Sequence, residues 1–255
     1  MGPSKALAKQ ILSNLGFRVE EIPEGNSRSA DLAISDDTSA YHLEVKEKFE
    51  SQSVAQKRQE CLARGDIYQQ DDPLAHDNRI SAILRDAQNQ LDETLDKADA
   101  FQLIWFHANG VDADLKYRQA FATFYGQVPL IALEPRQSET TTCFYFDYSA
   151  AFAMPTIEAL ILTDHTTLQV CLNEFSHRSD EFRRTPFYHR FRELDGVIDP
   201  LSLAAEGKII ACRAGIPRKS DHEVCKALRE QTGVLYTTIR LNRHSYSAAV
   251  RPIVQ

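Results

Sequence analysis

The stretch "SRSADLAISDDTSAYHLEVKEKFE", residues 27–50, decides the fold that this sequence predicts. Its runs "ADLAIS" and "YHLEVKEK" are apolar with partial alternation, and "DDTSA" between them has the composition of a turn, so the pattern predicts a β-hairpin. Alternate side chains of a strand share a face, which sets Glu44 beside Lys46. Asp31 on the first strand can approach them across the pair. One hairpin is therefore expected to bring two acids and a lysine together.

The residues before this hairpin predict one helix and one more strand. Residues 4–14 carry apolar side chains at helical spacing, with Ser4 as the candidate cap and Gly16 just past the end. "FRVEEI" follows and has the pattern of a short strand. We expect a helix followed by a three-stranded meander.

The residues after the hairpin predict an alternation of helices and strands. Residues 51–77 are polar and are expected to form a long functional or mobile loop. Residues 78–95 have helical spacing, and "AFQLIWFHA" is typical of a central strand that is covered on both faces. A helix near 115–125 and the strands "VPLIAL" and "TCFYFDY" come next. This order predicts an α/β fold.

The remaining residues predict a second α/β region. A hairpin is expected from "IEALILT" and "TLQVCLNEF", then a strand "KIIACRA", a helix that ends at Gly233 and a last strand "VLYTTIRL". We expect residues 1–149 to form the core and residues 150–255 to form a C-terminal region that binds substrate or a partner. The sequence leaves open whether this region is a separate domain or extends the first sheet.

Charge is distributed unevenly along the chain. The formal net charge is -7, but residues 176–255 carry 14 Lys and Arg against 9 Asp and Glu. Two interpretations of the segment "HRSDEFRRTPFYHRFREL" are equally weighted. Its arginines could bind phosphates while its aromatic rings stack on bases, or the rings are core and the arginines are solvated or paired. The arginines concerned are Arg183, Arg184, Arg190 and Arg192.

Several classes of protein are disfavoured by the absence of their motifs. The 5 cysteines form no CxxC pair, and the sequence has no HExxH, P-loop, GxGxxG or GxSxG. It also has no apolar run of signal-peptide or membrane-spanning length, so we expect a cytoplasmic protein that does not associate with a membrane.

The charged hairpin suits the hydrolysis of a phosphodiester bond. Mg²⁺ takes one or two carboxylates and keeps water and phosphate oxygens for its other positions, so Asp31 and Glu44, with the Val45 carbonyl, are the candidate ligands of Mg²⁺ or Mn²⁺. Lys46 could orient the attacking water or stabilise the developing anion. The alternative is an ion-pair cluster on the surface of an unrelated α/β protein, which binds no metal.

These residues resemble the PD-(D/E)xK, or restriction-endonuclease-like, nucleases over about residues 4 to 107. The resemblance places the family's motif on Asp31, Glu44 and Lys46. It implies a mixed β-sheet flanked by helices, here with an α+β C-terminal extension, and a Mg²⁺-dependent nuclease that acts on DNA more often than on RNA. A homodimer, or a partner ATPase or helicase subunit, is also consistent with it.

Three positions bear on how closely the chain follows that family. Ala30 stands where the family has proline, which we expect to be harmless. Gln90, with Gln88 as the alternative, matches the polar residue that the family often has on the helix after the lysine strand. The first helix offers Lys5, Lys9 and Gln10 in place of the family's glutamate, and Glu20, Glu21 and Glu24 are equal candidates to replace it. The missing acid leaves a second hypothesis, a degenerate domain that binds nucleic acid or protein without cutting.

Overall fold

The computed structural model describes residues 2–23, 29–94, 99–133, 140–240 and 243–249. Helices and strands alternate along most of this chain, which confirms the predicted α/β class. The helices are α1 (Pro3–Asn14), α2 (Gln52–Ala63), α3 (Asn78–Glu93), α4 (Ala113–Tyr125), α5 (Ser179–Phe182), α6 (Pro186–Glu193), α7 (Pro200–Ala205) and α8 (Asp221–Thr232). The strands are β1 (Arg18–Glu21), β2 (Leu32–Ser35), β3 (Ala40–Lys48), β4 (Tyr68–Pro73), β5 (Phe101–Ala108), β6 (Val128–Ala132), β7 (Thr140–Phe144), β8 (Ala159–Thr163), β9 (Leu168–Leu172), β10 (Val197–Ile198), β11 (Ile209–Ala211), β12 (Tyr236–Thr238) and β13 (Arg243–Ala248).

The central sheet has seven strands in the order β1-β2-β3-β5-β8-β9-β10. The predicted meander forms its first part, because β1, β2 and β3 pair antiparallel. β3, β5 and β8 then run parallel, β9 returns antiparallel as the predicted hairpin partner of β8, and β10 is parallel to β9. The sheet is therefore mixed.

Helices cover both faces of this sheet. α3 and α4 pack on the face that carries Ile104 and Phe106, whereas α1 and α6 pack on the face that carries Leu103 and Trp105. All eight residues of β5 are buried, as the continuous apolar run predicts. Glu44 and Lys46 pair with Ile104 and Phe106, so they lie on the α3 face.

A smaller sheet joins the two predicted regions. Its order is β11-β7-β6-β12, and α8 packs on it through Val224 and Leu228. Both sheets take strands from before and after residue 149, so neither sheet has a boundary at that position. Residues 159–198 extend the first sheet, which is one of the two alternatives that the sequence left open.

Residues 51–77, predicted as a loop, contain α2 and β4, so this prediction is wrong. α2 buries none of its residues and shows little apolar periodicity, although the Ser51 hydroxyl accepts a hydrogen bond from the Val54 N–H at its start. β4 pairs with β13, whose first residue, Arg243, lies opposite Pro73. The sequence pattern around β4 could not predict this pairing, because the partner strand lies about 170 residues further along the chain.

Two other predictions differ in detail from the structure. The arginine-rich segment is interrupted before Pro186, which is the first residue of α6, so it forms two short helices. Ser4 lies inside α1 and is buried, while Gly2 holds the cap position. Among the described helices, none combines the length and the apolar character that crossing a bilayer requires.

Candidate active site

Asp31 lies where the pairing of β2 with β3 ends. The registered pairing stops at Leu43, whereas β3 continues to Lys48 with β5 on its other side. The Asp31 N–H donates to the Leu43 carbonyl at 3.0 Å, and its Oδ2 accepts from the Val45 N–H at 2.9 Å. The carboxylate therefore adds one rung to the ladder, and this bond fixes it beside Glu44.

The Val45 carbonyl is directed to the same edge. The N–H and C=O groups of one strand residue point to the same side, and the Val45 N–H points to Asp31. Beyond this point β3 has a described strand neighbour only in β5. The edge of β3 therefore presents a backbone oxygen next to two carboxylates.

Glu44 is almost completely buried, unlike the acid of an ordinary surface ion pair. The residue is 2% exposed; its Oε1 lies 3.1 Å from Lys46 Nζ, and its Oε2 is buried without a hydrogen-bond partner among the described residues. Burial and, to a lesser extent, the charge of Asp31 raise the pKa of Glu44 to about 7 against the opposing effects of Lys46 and Lys5. The unpaired oxygen is a position that a cation would satisfy.

Lys46 is held by three acceptors. Its ammonium contacts Glu44, lies 2.8 Å from Asp86 Oδ2 and donates to Gln90 Oε1 in a short hydrogen bond. An ammonium has three N–H donors, so these contacts use all of them. Burial alone lowers the pKa of Lys46, but the hydrogen bond to Asp86 and the charge of Glu44 outweigh it and raise this pKa above its usual value.

α3 supplies two of those acceptors from a firmly anchored helix. Asp77 caps its first turn, because the Asp77 side chain accepts hydrogen bonds from two backbone N–H groups, and the apolar face of the helix is buried against the sheet. Asp86 and Gln90 are four residues apart and so share one flank of the helix. Gln88 instead donates to Thr156, at 3.3 Å. Of the two predicted glutamines, Gln90 is the one that reaches Lys46.

Lys5 and Thr94 connect the cluster to the two flanking helices. Lys5 Nζ lies 2.6 Å from Asp31 Oδ1. The Thr94 hydroxyl, just after α3, accepts from the Ala30 N–H at 2.8 Å and donates to the Gln90 carbonyl at 3.0 Å. The residue before Asp31 and the carbonyl of Gln90 are thus fixed by one buried side chain.

The predicted arginines do not join this cluster. Arg183 forms ion pairs with Asp199 and Asp180, and Arg190 donates to the Leu15 carbonyl at 2.7 Å and stacks on Phe17. Leu15 is at the opposite end of α1 from Lys5. Arg184 and Arg192 are exposed on the segment that packs against the face opposite α3.

The aromatic residues of the same segment do not act as a stacking surface. Phe187, Tyr188 and Phe191 are buried in the core, and Phe187 contacts Phe17 and Tyr41. Their burial favours the second interpretation of this segment, in which the rings are core and the arginines are solvated or paired.

Two of the three candidates to replace the family's first-helix glutamate have other surroundings. Glu21 pairs with Lys9 at 3.1 Å, and Glu20 is exposed. Glu24 lies outside the described residues.

The donor set fits one hard divalent ion. Asp31, Glu44 and the Val45 carbonyl are adjacent, and Mg²⁺ binds through few carboxylates while it keeps several waters. The described part of the chain contains no group of three His, Cys, Asp or Glu side chains that could hold a metal ion. Waters and substrate oxygens would have to complete the coordination.

The sequence reasoning missed Lys5, Asp86 and Thr94. Asp86 could have been found, because it lies one helical turn before Gln90 on the same flank. Lys5 and Thr94 reach the site through contacts between distant segments, which a single sequence does not encode locally.

The comparisons with known proteins add no relative. No protein-family model matches the chain, and no curated protein or solved structure is significantly similar to it.

Proposed function

We propose that this protein is a metal-dependent nuclease that hydrolyses phosphodiester bonds, with Mg²⁺ or Mn²⁺ held by Asp31, Glu44 and the Val45 carbonyl. One observation carries the proposal: at the edge of β3, the buried Glu44 has an oxygen without a hydrogen-bond partner in the described part of the chain, next to Asp31 and to a lysine with three acceptors. A carboxylate in a structural ion pair does not require an oxygen without a partner, whereas a carboxylate that binds a metal ion must have an oxygen available for it.

The residues divide the chemistry between them. Hydrolysis needs a water that attacks phosphorus and a means of stabilising charge on the phosphate oxygens. A bound divalent ion would supply a more acidic water and part of that stabilisation. Asp31 and Glu44 hold the ion, Gln90 and Asp86 orient Lys46, and Lys46 contacts the water or the phosphate.

Lys46 has to exchange one acceptor before it contacts substrate, since its three donors are in use. Asp86 is the acceptor that is most easily replaced, because its side chain is half exposed whereas Glu44 is buried. A substrate phosphate that enters from solvent would then take the position of the Asp86 carboxylate.

We further propose that the chain is a PD-(D/E)xK nuclease and acts on DNA. Support comes from the motif residues at the described geometry and from a sheet in which an antiparallel meander precedes a parallel strand and helices flank both faces. DNA is preferred over RNA because the family that the motif resembles acts mostly on DNA.

One contact favours a second function, that of a domain that binds nucleic acid or protein without cutting. Lys5 lies 2.6 Å from Asp31 Oδ1, so a fixed cation already neutralises one proposed metal ligand. In this alternative the lysines permanently replace the metal. It predicts binding without cleavage and no binding of Mn²⁺ to the protein.

The test compares cleavage by the wild type and by three variants. Supercoiled, linear and single-stranded DNA and RNA are incubated with Mg²⁺, Mn²⁺ or EDTA and with Asp31→Asn, Lys46→Ala or Lys48→Ala. Lys48 is the matched control, since it lies on the same face of β3 two residues beyond Lys46. We expect metal-dependent cleavage that Asp31→Asn and Lys46→Ala abolish and that Lys48→Ala retains. Cleavage that persists in both site variants would reject the assigned residues.

A further inference from the structure

The ion pair between Lys5 and Asp31 differs from the other lysine pair on the same helix. Lys5 and Asp31 are 18% and 21% exposed and 2.6 Å apart, whereas Lys9 and Glu21, one turn on, are 37% and 39% exposed and 3.1 Å apart. Ser4 and Ala8 are buried on either side of Lys5, so the helix fixes where this ammonium points. Lys5 is therefore held in the site by its surroundings, whereas Lys9 is a surface residue.

The charges around Asp31 leave room for one divalent ion. Asp31, Glu44 and Asp86 carry three carboxylates, and Lys5 and Lys46 carry two ammonium groups in contact with them. The formal charges of these five side chains sum to about -1, so one divalent ion takes the cluster to about +1 and a second would take it to about +3. A second divalent ion would lie beside the ammonium groups of Lys5 and Lys46, and both would repel it.

On the basis of the proposed nuclease function, we propose that Lys5 is a second catalytic cation, which replaces a second metal ion. With a divalent ion held by Asp31, the ammonium of Lys5 would leave Oδ1 and contact a non-bridging oxygen of the substrate phosphate. Water attacks phosphorus and gives up one proton to solvent, the P–O bond to the leaving oxygen breaks, and that oxygen takes a proton from solvent. Lys5 stabilises the negative charge on the non-bridging oxygen without forming a bond or giving up a proton. The site then works with one metal ion and two lysines.

This role predicts opposite effects on metal binding and on catalysis. Lys5→Gln removes a competitor of the metal, so the protein should bind Mn²⁺ more tightly, by about threefold to tenfold. It also removes a cation from the transition state, so kcat at saturating metal should fall by about 10- to 100-fold with a smaller change in KM. A residue that only holds Asp31 in place would instead weaken Mn²⁺ binding when it is replaced.

The experiment measures Mn²⁺ binding by calorimetry and by electron paramagnetic resonance, and plasmid cleavage with Mg²⁺. It uses the full chain and the variants Lys5→Gln, Lys5→Arg and Lys5→Glu. Lys9→Gln is the matched control, and circular dichroism verifies that each variant is folded. We expect one Mn²⁺ per wild-type chain, two in Lys5→Glu, partial activity in Lys5→Arg and wild-type behaviour in Lys9→Gln.

The outcomes separate this inference from the function on which it rests. Weaker Mn²⁺ binding in Lys5→Gln, or a kcat within twofold of that of an active wild type, overturns the role of Lys5 and leaves the nuclease assignment standing. A wild type that neither binds Mn²⁺ nor cuts nucleic acid overturns both. Two Mn²⁺ ions per wild-type chain also overturn the single-metal site.

Discussion

Two buried glutamates in the same sheet show what distinguishes a functional carboxylate from a structural one. Glu44 in β3 and Glu158 just before β8 are both 2% exposed, and burial raises the pKa of each to about 7. The oxygens of Glu158 accept from the Gln102 N–H at 2.5 Å and from the Ser176 hydroxyl at 2.9 Å. One oxygen of Glu44 has no such partner among the described residues.

The difference lies in what each carboxylate does for the fold. Glu158 bridges β5 to the turn after β9, so its burial is offset by bonds that the fold needs. Glu44 is buried next to Asp31 and a lysine and leaves one oxygen unsatisfied, which is costly for stability. A buried acid that the fold does not use is a reason to look for a ligand.

The largest expected effects come from replacing each glutamate by alanine. Glu44→Ala should lower metal-dependent cleavage at least about 100-fold, because a metal ligand is lost, and should not lower the free energy of unfolding, because the buried carboxylate is costly for stability. Glu158→Ala should retain the cleavage rate and lower the free energy of unfolding by about 2 to 4 kcal/mol, since it leaves two donors unpaired. Urea unfolding and plasmid cleavage measure both. If both variants changed the cleavage rate and the free energy of unfolding in the same way, the distinction between a functional and a structural glutamate would be wrong.

The pH dependence of stability should reveal the two carboxyls separately. Each has a folded-state pKa of about 7 against a usual value of 4.5, so between these values the folded state holds a proton that the unfolded chain has lost. Stability without metal therefore falls as the pH rises from about 4.5 to 7, by roughly 1 to 3 kcal/mol for each group.

Glutamine variants and added metal distinguish the two contributions. Glu44→Gln and Glu158→Gln should each flatten the slope of stability against pH, as measured by chemical unfolding at pH 5, 6, 7 and 8. Added Mg²⁺ should raise the stability of the wild type at pH 8 and leave that of Glu44→Gln unchanged. An equal effect of Mg²⁺ on both proteins would place the metal elsewhere.

A smaller effect is expected from Asp86, which contacts Lys46. Asp86→Asn keeps a hydrogen-bond acceptor and removes a charge, so the pKa of Lys46 should fall. Because Lys46 is then held less firmly, kcat should fall by about tenfold. Mn²⁺ affinity should stay within about threefold of that of the wild type. A kcat equal to that of the wild type would show that Lys46 needs only Glu44 and Gln90. The control is Asp114→Asn, because Asp114 pairs with Arg118 on the surface of α4.

The smallest effect is expected from the two exposed arginines of the C-terminal segment. Arg184→Ala with Arg192→Ala should alter the apparent affinity for DNA by less than about threefold, because both side chains lie on the segment opposite α3. Binding measured at two salt concentrations decides the matter. A marked loss of affinity for DNA, or of the salt dependence of that affinity, would show that this segment binds the substrate.

Local patterns in the sequence were sufficient for the part of the fold that carries the motif. Alternation in "YHLEVKEK" predicted that Glu44 and Lys46 share a face, and helical spacing after residue 78 placed Gln90 on the helix that reaches Lys46. Both inferences depend on neighbours within one or two elements. Short-range geometry determines such neighbours.

The features that were missed depend on contacts between distant segments. Lys5 reaches Asp31 from another helix, and β4 pairs with a strand that lies at the other end of the chain. The arginine segment was ambiguous because an amphipathic helix and a phosphate-binding surface share one composition. Only the buried rings of Phe187 and Phe191 separated the two.

The pairing of β4 with β13 has a consequence for the order in which the protein folds. Residues 68–73 find their partner only when residues 243–248 have left the ribosome, and α2 and both strands bury none of their residues. Closing so long a loop costs conformational entropy, and few apolar contacts offset that cost. We therefore expect this pair of strands to form late during synthesis and to exchange its amide hydrogens with solvent earlier than the strands of the central sheet.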